Sequence, residues 1–212
     1  MSALNRIAFY QGRRDEVPNQ ELAQELAANK DRAGVREIAE NLWNKDKNVQ
    51  SDCLKVLYET GYLDPSLVAD YAGDFLKLLK SRNNRMVWGA MIALSTIAGL
   101  KADEIFPHAD EIEKAMAAGS VITRDAGMKT LAQIAGRKDA YRTRLAPYLL
   151  ERLAEARPVD APRYAEFILE AIGPAEQAEF VRIIEKWIES ASPSRLPRLK
   201  RVLKIVQTSE PG

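Results

Sequence analysis

Apolar residues recur along most of the chain at three- and four-residue steps, which is the period of an amphipathic helix. In one such stretch the apolar positions are Met86, Ala90, Met91, Ala93, Leu94 and Ile97. No stretch alternates apolar and polar residues over a strand's length, and no Asn-Gly or Asp-Gly hairpin turn occurs. The pattern therefore predicts an all-α fold.

Several predicted helices carry end signals. Asn83 and Asn84 offer an N-cap to the helix that follows them, and Gly99 suits a left-handed residue just past its end. Pro107 and Pro147 are placed early in their helices, where a missing amide is tolerated. The helices are predicted over 18–29, 32–44, 48–60, 65–80, 84–98, 103–117, 121–135, 140–156, 160–172, 175–190 and 194–207.

A segment that ends in glycine recurs along the chain at 94–99, 131–136 and 168–173, and its glycines lie 37 residues apart. Each period contains a helix, a turn and a second helix. Such periods are typical of stacked helical repeats, in which neighbouring pairs bury each other's second apolar stripe. We predict one repeat domain over 1–212, with repeats at about 18–44, 48–80, 84–117, 121–156 and 159–190 and a C-terminal capping helix at 194–207.

Three segments carry a resemblance to the HEAT/armadillo class of helical repeats. The segments are Val49–Leu57, Met86–Leu94 and Thr123–Leu131. They are similar to the first-helix pattern of that class, in which small and large apolar positions close on a leucine. Arg124 stands where the class often carries an arginine, whereas Gln50 and Val87 hold that position in the other two segments. The resemblance covers roughly 18–190 and implies a right-handed α-α superhelix of about five helix pairs plus the capping helix; it says little about function.

The charge balance excludes a strong attraction of the whole molecule to polyanions. Lys and Arg number 31 and Asp and Glu 30, which leaves a net charge of +1. The amino-terminal stretch 1–12 contains Arg6 and no long apolar run, so we expect neither a signal peptide nor a membrane anchor. Together with a single cysteine, Cys53, this predicts a cytoplasmic location and a reduced thiol.

Catalytic and metal chemistry finds little support in the sequence. One cysteine and one histidine exclude an internal disulfide and every site that needs two thiolates or two imidazoles. No glycine-rich phosphate loop or Ser/His/Asp constellation is present. His108 stands beside Asp110 and Glu111, and we interpret it as a surface histidine or one satisfied by its neighbours. We predict a protein that is not an enzyme and has no metal and no cofactor.

The three tryptophans leave a second class of function open. Trp43, Trp88 and Trp187 invite comparison with HEAT-like alkylpurine DNA glycosylases, which the chain resembles in size and helix content. The pattern of those enzymes places a catalytic aspartate four residues after a tryptophan. The corresponding residues here are Lys47, Ile92 and Ala191, so that aspartate does not carry over. We interpret Trp88 and Trp187 as packing residues.

The last predicted helix is basic and amphipathic. Its cations are Arg195, Arg198, Lys200, Arg201 and Lys204, and its apolar stripe is Leu196, Leu199, Val202, Leu203 and Val206. This pattern suits either a docked capping helix or a segment that binds a partner.

A row of side chains is predicted along the second helices, which line the concave side in the class that the chain resembles. The 37-residue step from Asp74 reaches Glu111, Tyr148 and Glu185, and the same step from Tyr71 reaches His108. Arg152 lies one turn beyond Tyr148. The predicted row is therefore Tyr71, Asp74, His108, Glu111, Tyr148, Arg152 and Glu185.

Such a row suits a basic peptide or a protein edge better than a phosphate backbone, which carboxylates repel. The sequence therefore predicts a non-catalytic scaffold that binds a protein or peptide on its concave face. A HEAT-like DNA-binding protein remains the alternative, and no membrane partner is expected.

Overall fold

The computed structural model describes residues 2–208, and these contain helices, turns and bends but no strand. The all-α prediction is confirmed. The α-helices of this range are α1 (Val17–Ala28), α2 (Arg32–Glu40), α3 (Lys47–Leu63), α4 (Ala72–Leu78), α5 (Asn84–Ile97), α6 (Ala102–Ile105), α7 (Ala109–Ala118), α8 (Val121–Ala135), α9 (Asp139–Ala154), α10 (Ala161–Ile168), α11 (Gln177–Glu189) and α12 (Leu196–Thr208). Single 3₁₀ turns lie at Leu4–Arg6, Asn41–Trp43, Pro65–Leu67, Ala69–Tyr71, Phe106–His108 and Leu169–Ala171.

Short polar side chains begin several of these helices. The carboxylate of Asp31 accepts a hydrogen bond from the Gly34 amide at 2.9 Å, and that of Asp46 accepts one from the Asn48 amide at 2.8 Å. The predicted N-cap Asn83 is confirmed, because its Oδ1 accepts from an amide in the first turn of α5. Each cap satisfies an amide that has no partner within its own helix.

Two predicted helices are interrupted. The stretch predicted as 65–80 contains two 3₁₀ turns before α4, and the stretch predicted as 103–117 is divided into α6, a 3₁₀ turn and α7. Pro107 lies in that second 3₁₀ turn. Proline has no amide hydrogen and crowds the preceding turn, which explains the break there.

Two local predictions are wrong. Pro147 lies in the interior of α9 rather than near its start. Gly99 is not left-handed, since the positive-φ positions within residues 2–208 are Lys30, at 52°, and Gly12, at 64°. The chain leaves α5 in a tight turn, with the Leu100 and Lys101 amides both bonded to the Ile97 carbonyl at 2.9 Å, so it reverses without a left-handed residue.

The chain divides into two compact units, Met1–Gly127 and Met128–Gly212, and the boundary falls inside α8. The predicted single domain over 1–212 therefore stays a prediction. In unit 1, α3 packs between α1 and α5, and α4 packs against α5. Fully buried side chains fill the space between these helices and include Leu22, Ile38, Leu42, Leu57, Phe75, Met86, Met91 and Leu94.

In unit 2, α9 packs against α10 and α11, and α12 packs against α10 and α11. Its core includes Leu131, Ile134, Leu145, Leu149, Leu153, Ile168, Phe180 and Ile184. The α12 stripe is part of this core, since Leu199, Val202 and Val206 are buried. The basic helix thus docks on its neighbours through its apolar face.

Candidate functional site

The predicted row residues of unit 1 lie at the starts of two second helices. Asp74 is in the first turn of α4 with Tyr71 just before it, and Glu111 is in the first turn of α7 with His108 just before it. All four side chains are partly exposed. The neighbours predicted to be buried beside the two carboxylates are buried, and they are Phe75 and Ile112.

Exposed lysines cover both carboxylates. Lys77 Nζ lies 3.6 Å from Asp74 Oδ1, and Lys80 Nζ lies 3.1 Å from Glu111 Oε2, which links the end of the α4 segment to α7. His108 Nδ1 lies 3.6 Å from the other Glu111 oxygen. The hydrogen bond from Lys80 is the main cause that lowers the pKa of Glu111. The two lysine side chains are 71% and 68% exposed, so water and competing cations can reach both pairs.

Tyr71 lies near a cation that the sequence spacing did not identify. Burial raises the pKa of Tyr71, and the nearby Arg36 of α2 opposes that rise. The first predicted repeat, 18–44, is shorter than the 37-residue period, so stepping back from Tyr71 does not reach Arg36. Their proximity comes from the packing of unit 1.

In unit 2, α9 carries an aromatic residue and a cation of the predicted row. The guanidinium carbon of Arg152 lies 5.5 Å from the centre of the Tyr148 ring, within the range of a cation–π contact. The same guanidinium pairs with Glu151 at 3.1 Å and with Glu155 at 2.8 Å. Arg152 is therefore held over the tyrosine by two carboxylates.

Glu185 lies exposed on α11, next to the buried Ile184. The 37-residue step does not hold from α9 to α11, because it carries the buried Leu149 to the exposed Lys186. The place of Glu185 in the row stays a prediction.

The tryptophans differ in their surroundings. Trp43 is 52% exposed, whereas Trp88 and Trp187 are half-buried. The Trp88 ring centre lies 6.3 Å from that of Tyr58, and the Trp187 indole donates a hydrogen bond to the Leu153 carbonyl at 3.0 Å. That carbonyl belongs to the last turn of α9, where helical partners run out. Packing and capping thus account for Trp88 and Trp187.

Unit 1 contains a buried cation, Lys55, that the sequence pattern did not predict. The Lys55 side chain is 9% exposed, and its Nζ pairs with Glu16 at 2.9 Å and Glu59 at 2.7 Å. It also lies 4.9 Å from the centre of the Tyr58 ring, while Arg85 reaches the second oxygen of Glu16 at 3.3 Å. Burial by itself lowers the pKa of Lys55, but the hydrogen bonds to the two glutamates outweigh it and the net shift is upward. Lys55 therefore stays charged and ties the residue before α1 to α3.

Comparisons with known proteins identify the architecture. No family model and no curated protein matches the chain. Among solved structures, an engineered protein matches with a TM-score of 0.70 at 17% identity, covering 98% of each chain. A designed armadillo repeat protein in complex with the peptide (KR)4 matches with a TM-score of 0.69 at 12% identity, covering 88% of this chain and 86% of that one. Kap121p bound to Pho4p matches at 0.64 and 16% identity, over 94% of this chain and 22% of that one.

The fold is that of a HEAT/armadillo-like helical repeat protein. The predicted resemblance and the predicted all-α repeat class are confirmed. At these identities the likeness establishes the fold alone. Two of the three neighbours are bound to a peptide or a protein, which fits a repeat scaffold.

Within residues 2–208, no group of three or more histidine, cysteine, aspartate or glutamate side chains is arranged to hold a metal ion. In the same range, no helix combines the length and apolar character required to span a bilayer.

The thiol of Cys53 provides a test of the core. Cys53 is fully buried in α3, and burial raises its pKa to about 12. Since the thiolate is the reactive form, we expect the native protein to resist a thiol reagent such as DTNB at pH 8 while the urea-unfolded chain reacts within minutes. Fast stoichiometric labelling of the native protein would show that the packing around α3 is open.

Proposed function

We propose that this repeat protein is a non-catalytic scaffold that binds a basic peptide, or the basic edge of a protein, on its concave face along the second helices. One observation carries the proposal. On α4 and α7 of unit 1, each of two partly exposed carboxylates, Asp74 and Glu111, lies three residues after an aromatic ring and has a largely exposed lysine as its cation.

The lysines already occupy the positions that a basic ligand would take. Lys77 and Lys80 are long, exposed side chains, and exposed ion pairs of this kind contribute little to folding. An incoming Lys or Arg exchanges one ion pair for another at small electrostatic cost. Tyr71 and His108 add flat surfaces beside the carboxylates, on which the aliphatic part of a Lys or Arg side chain can lie.

The designed armadillo neighbour supports the same class of ligand, because its bound peptide, (KR)4, alternates lysine and arginine. In unit 2 we propose that Tyr148, Arg152 and Glu185 form a corresponding set of ligand-binding side chains. One guanidinium nitrogen of Arg152 already pairs with Glu151 and Glu155, so there the carboxylates would be the groups that meet a cation. The cytoplasmic location predicted from the sequence stays a prediction.

The test is charge reversal of the two row carboxylates. We expect Asp74→Lys with Glu111→Lys to abolish binding of a fluorescein-labelled (KR)4 peptide in an anisotropy titration at low salt, because two attractive contacts become repulsive. The melting temperature should stay within a few degrees of wild type, since both side chains are partly exposed. Glu185→Lys alone tests whether Glu185 of unit 2 contributes to binding.

The matched control is Glu21→Lys with Glu189→Lys, which changes the net charge equally at exposed positions outside the row. A second variant, Lys77→Gln with Lys80→Gln, should bind the peptide several-fold more tightly because it removes the competing cations. If the control and the row variant lose binding equally, overall charge explains the effect, and the assignment of Asp74 and Glu111 to the binding site is wrong. Undiminished binding by the row variant would overturn the assignment as well.

A further inference from the structure

The end of unit 2 presents a second surface of opposite charge. Between residues 190 and 208 there are five cations and no Asp or Glu. We call this surface the basic face, and it consists of Arg195, Arg198, Lys200, Arg201 and Lys204. It contrasts with a chain whose net charge is only +1.

One carboxylate organises part of the basic face. Glu166 of α10 accepts hydrogen bonds from Arg198 at 2.6 and 3.0 Å and from Arg201 at 2.8 Å. The hydrogen bond from Arg198 is the main cause that lowers the pKa of Glu166, so this carboxylate remains ionised. Within residues 2–208, no ion pair uses Arg195, Lys200 or Lys204. Even after Glu166 is counted, the basic face keeps four uncompensated charges.

The helix sets the spacing of these charges. Lys200, Arg201 and Lys204 lie opposite the buried stripe of α12, at positions i, i+1 and i+4, and all three are exposed. At about 1.5 Å rise per residue, Lys200 and Lys204 are about 6 Å apart along the axis. One strand of duplex DNA carries a phosphate about every 3.4 Å of axis, so the two lysines span about two phosphates.

From this arrangement we propose that the basic face of α12 binds the phosphate backbone of a nucleic-acid duplex without reading its sequence. The basic face lacks the continuous apolar side that a membrane requires and the aromatic side chains that anchor protein interfaces. A helix that lies on a membrane inserts a continuous apolar side, but Leu199, Val202 and Val206 are buried in the core of unit 2, and the exposed large apolar side chain of residues 196–208 is Ile205, at 44%. Hot spots of protein interfaces are enriched in Trp, Tyr and Arg, and residues 188–208 supply arginines but no aromatic anchor. Ionic contact with phosphates needs neither.

The experiment measures anisotropy of a labelled 20-bp DNA duplex with the full chain between 50 and 200 mM NaCl. Three phosphate contacts predict a slope of log K against log salt of about −2.7, which is a loss of about 40-fold over that range. Lys200→Glu with Lys204→Glu should weaken binding at 50 mM NaCl at least about tenfold and reduce the slope by about 2. Circular dichroism and the melting temperature should not change, because both lysines are exposed.

The control, Lys45→Glu with Lys47→Glu, makes the same charge change at exposed lysines of unit 1 and should bind like wild type. Absence of duplex binding by wild type at 50 mM NaCl overturns the proposal, as does an equal loss in the control. Binding to vesicles containing phosphatidylserine in the absence of duplex binding also overturns it and assigns the face to membranes. Failure here leaves the proposed peptide row untouched, because the row carboxylates are in none of these variants.

Discussion

A chain that ends at Ser192 should aggregate or melt at least about 10 °C below the full chain. It loses Leu199, Val202 and Val206 from the core of unit 2 and exposes the surfaces of α10 and α11 that these side chains cover. Burial of each such side chain contributes about 1.5–3 kcal/mol, so the loss is roughly 5–9 kcal/mol. That is comparable with the whole stability of an ordinary domain. Size-exclusion chromatography and a thermal melt followed by circular dichroism measure the result.

The matched control for this truncation ends at Thr208 and keeps all of α12. It should elute and melt like the full chain. A chain ending at Ser192 that stays monomeric and melts at the wild-type temperature would mean that α12 contributes nothing to the core. The helix would then be free to serve as a binding segment, which was the other interpretation of its amphipathic pattern.

Gly136→Ala should lower the stability by about 1–3 kcal/mol, even though alanine usually favours helical segments. A Cβ at this position would lie 2.6 Å from the carbonyl oxygen of Glu170, which belongs to the backbone and cannot turn aside. Either the end of α8 or the 3₁₀ turn at Leu169–Ala171 must move. The melting temperature should fall by about 2–4 °C for each kcal/mol.

Gly73→Ala is the paired control for this substitution. Gly73 lies in α4 with a negative φ, and a Cβ there would meet nothing within 4 Å. We expect this variant to gain about 0.4–1 kcal/mol, because alanine restricts the unfolded chain without straining the folded one. Effects of the same sign in both variants would show that helix propensity, and not contact with Glu170, governs Gly136.

The core could be predicted from the sequence because apolar residues recur at the helical period, and the positions on that face are the buried ones. Met86, Met91 and Leu94 were predicted as one apolar face, and each is fully buried. The recurrent glycines mark the ends of helices, as predicted, but not because these residues are left-handed. Gly99 was assigned a left-handed turn that it does not adopt, while Gly136 is required by a neighbouring backbone that comes close only once the chain has folded.

The charged contacts of the candidate site could not be predicted in the same way. Lys55 pairs with Glu16, which lies 39 positions earlier in the chain, and no local sequence pattern indicates such a pair. The lysine on Glu111 comes from the preceding helix segment, so a search for equivalent positions misses it. Long flexible side chains leave their partners undetermined until the backbone is placed. The 37-residue spacing predicted which carboxylates are at least partly exposed, but not which cations form ion pairs with them.

The packing of unit 1 also has a consequence for synthesis. Its most extensive contacts join helices that are one or two helices apart in the chain, α1 with α3, α3 with α5, and α4 with α5. Little loop entropy is lost when each pair closes, so topologies of this kind fold fast. As the polypeptide leaves the ribosome at several residues per second, each new helix finds its partner already exposed. Each newly formed helix pair then covers its apolar surface before the next helix is made. We therefore expect chaperones to bind the nascent chain only briefly.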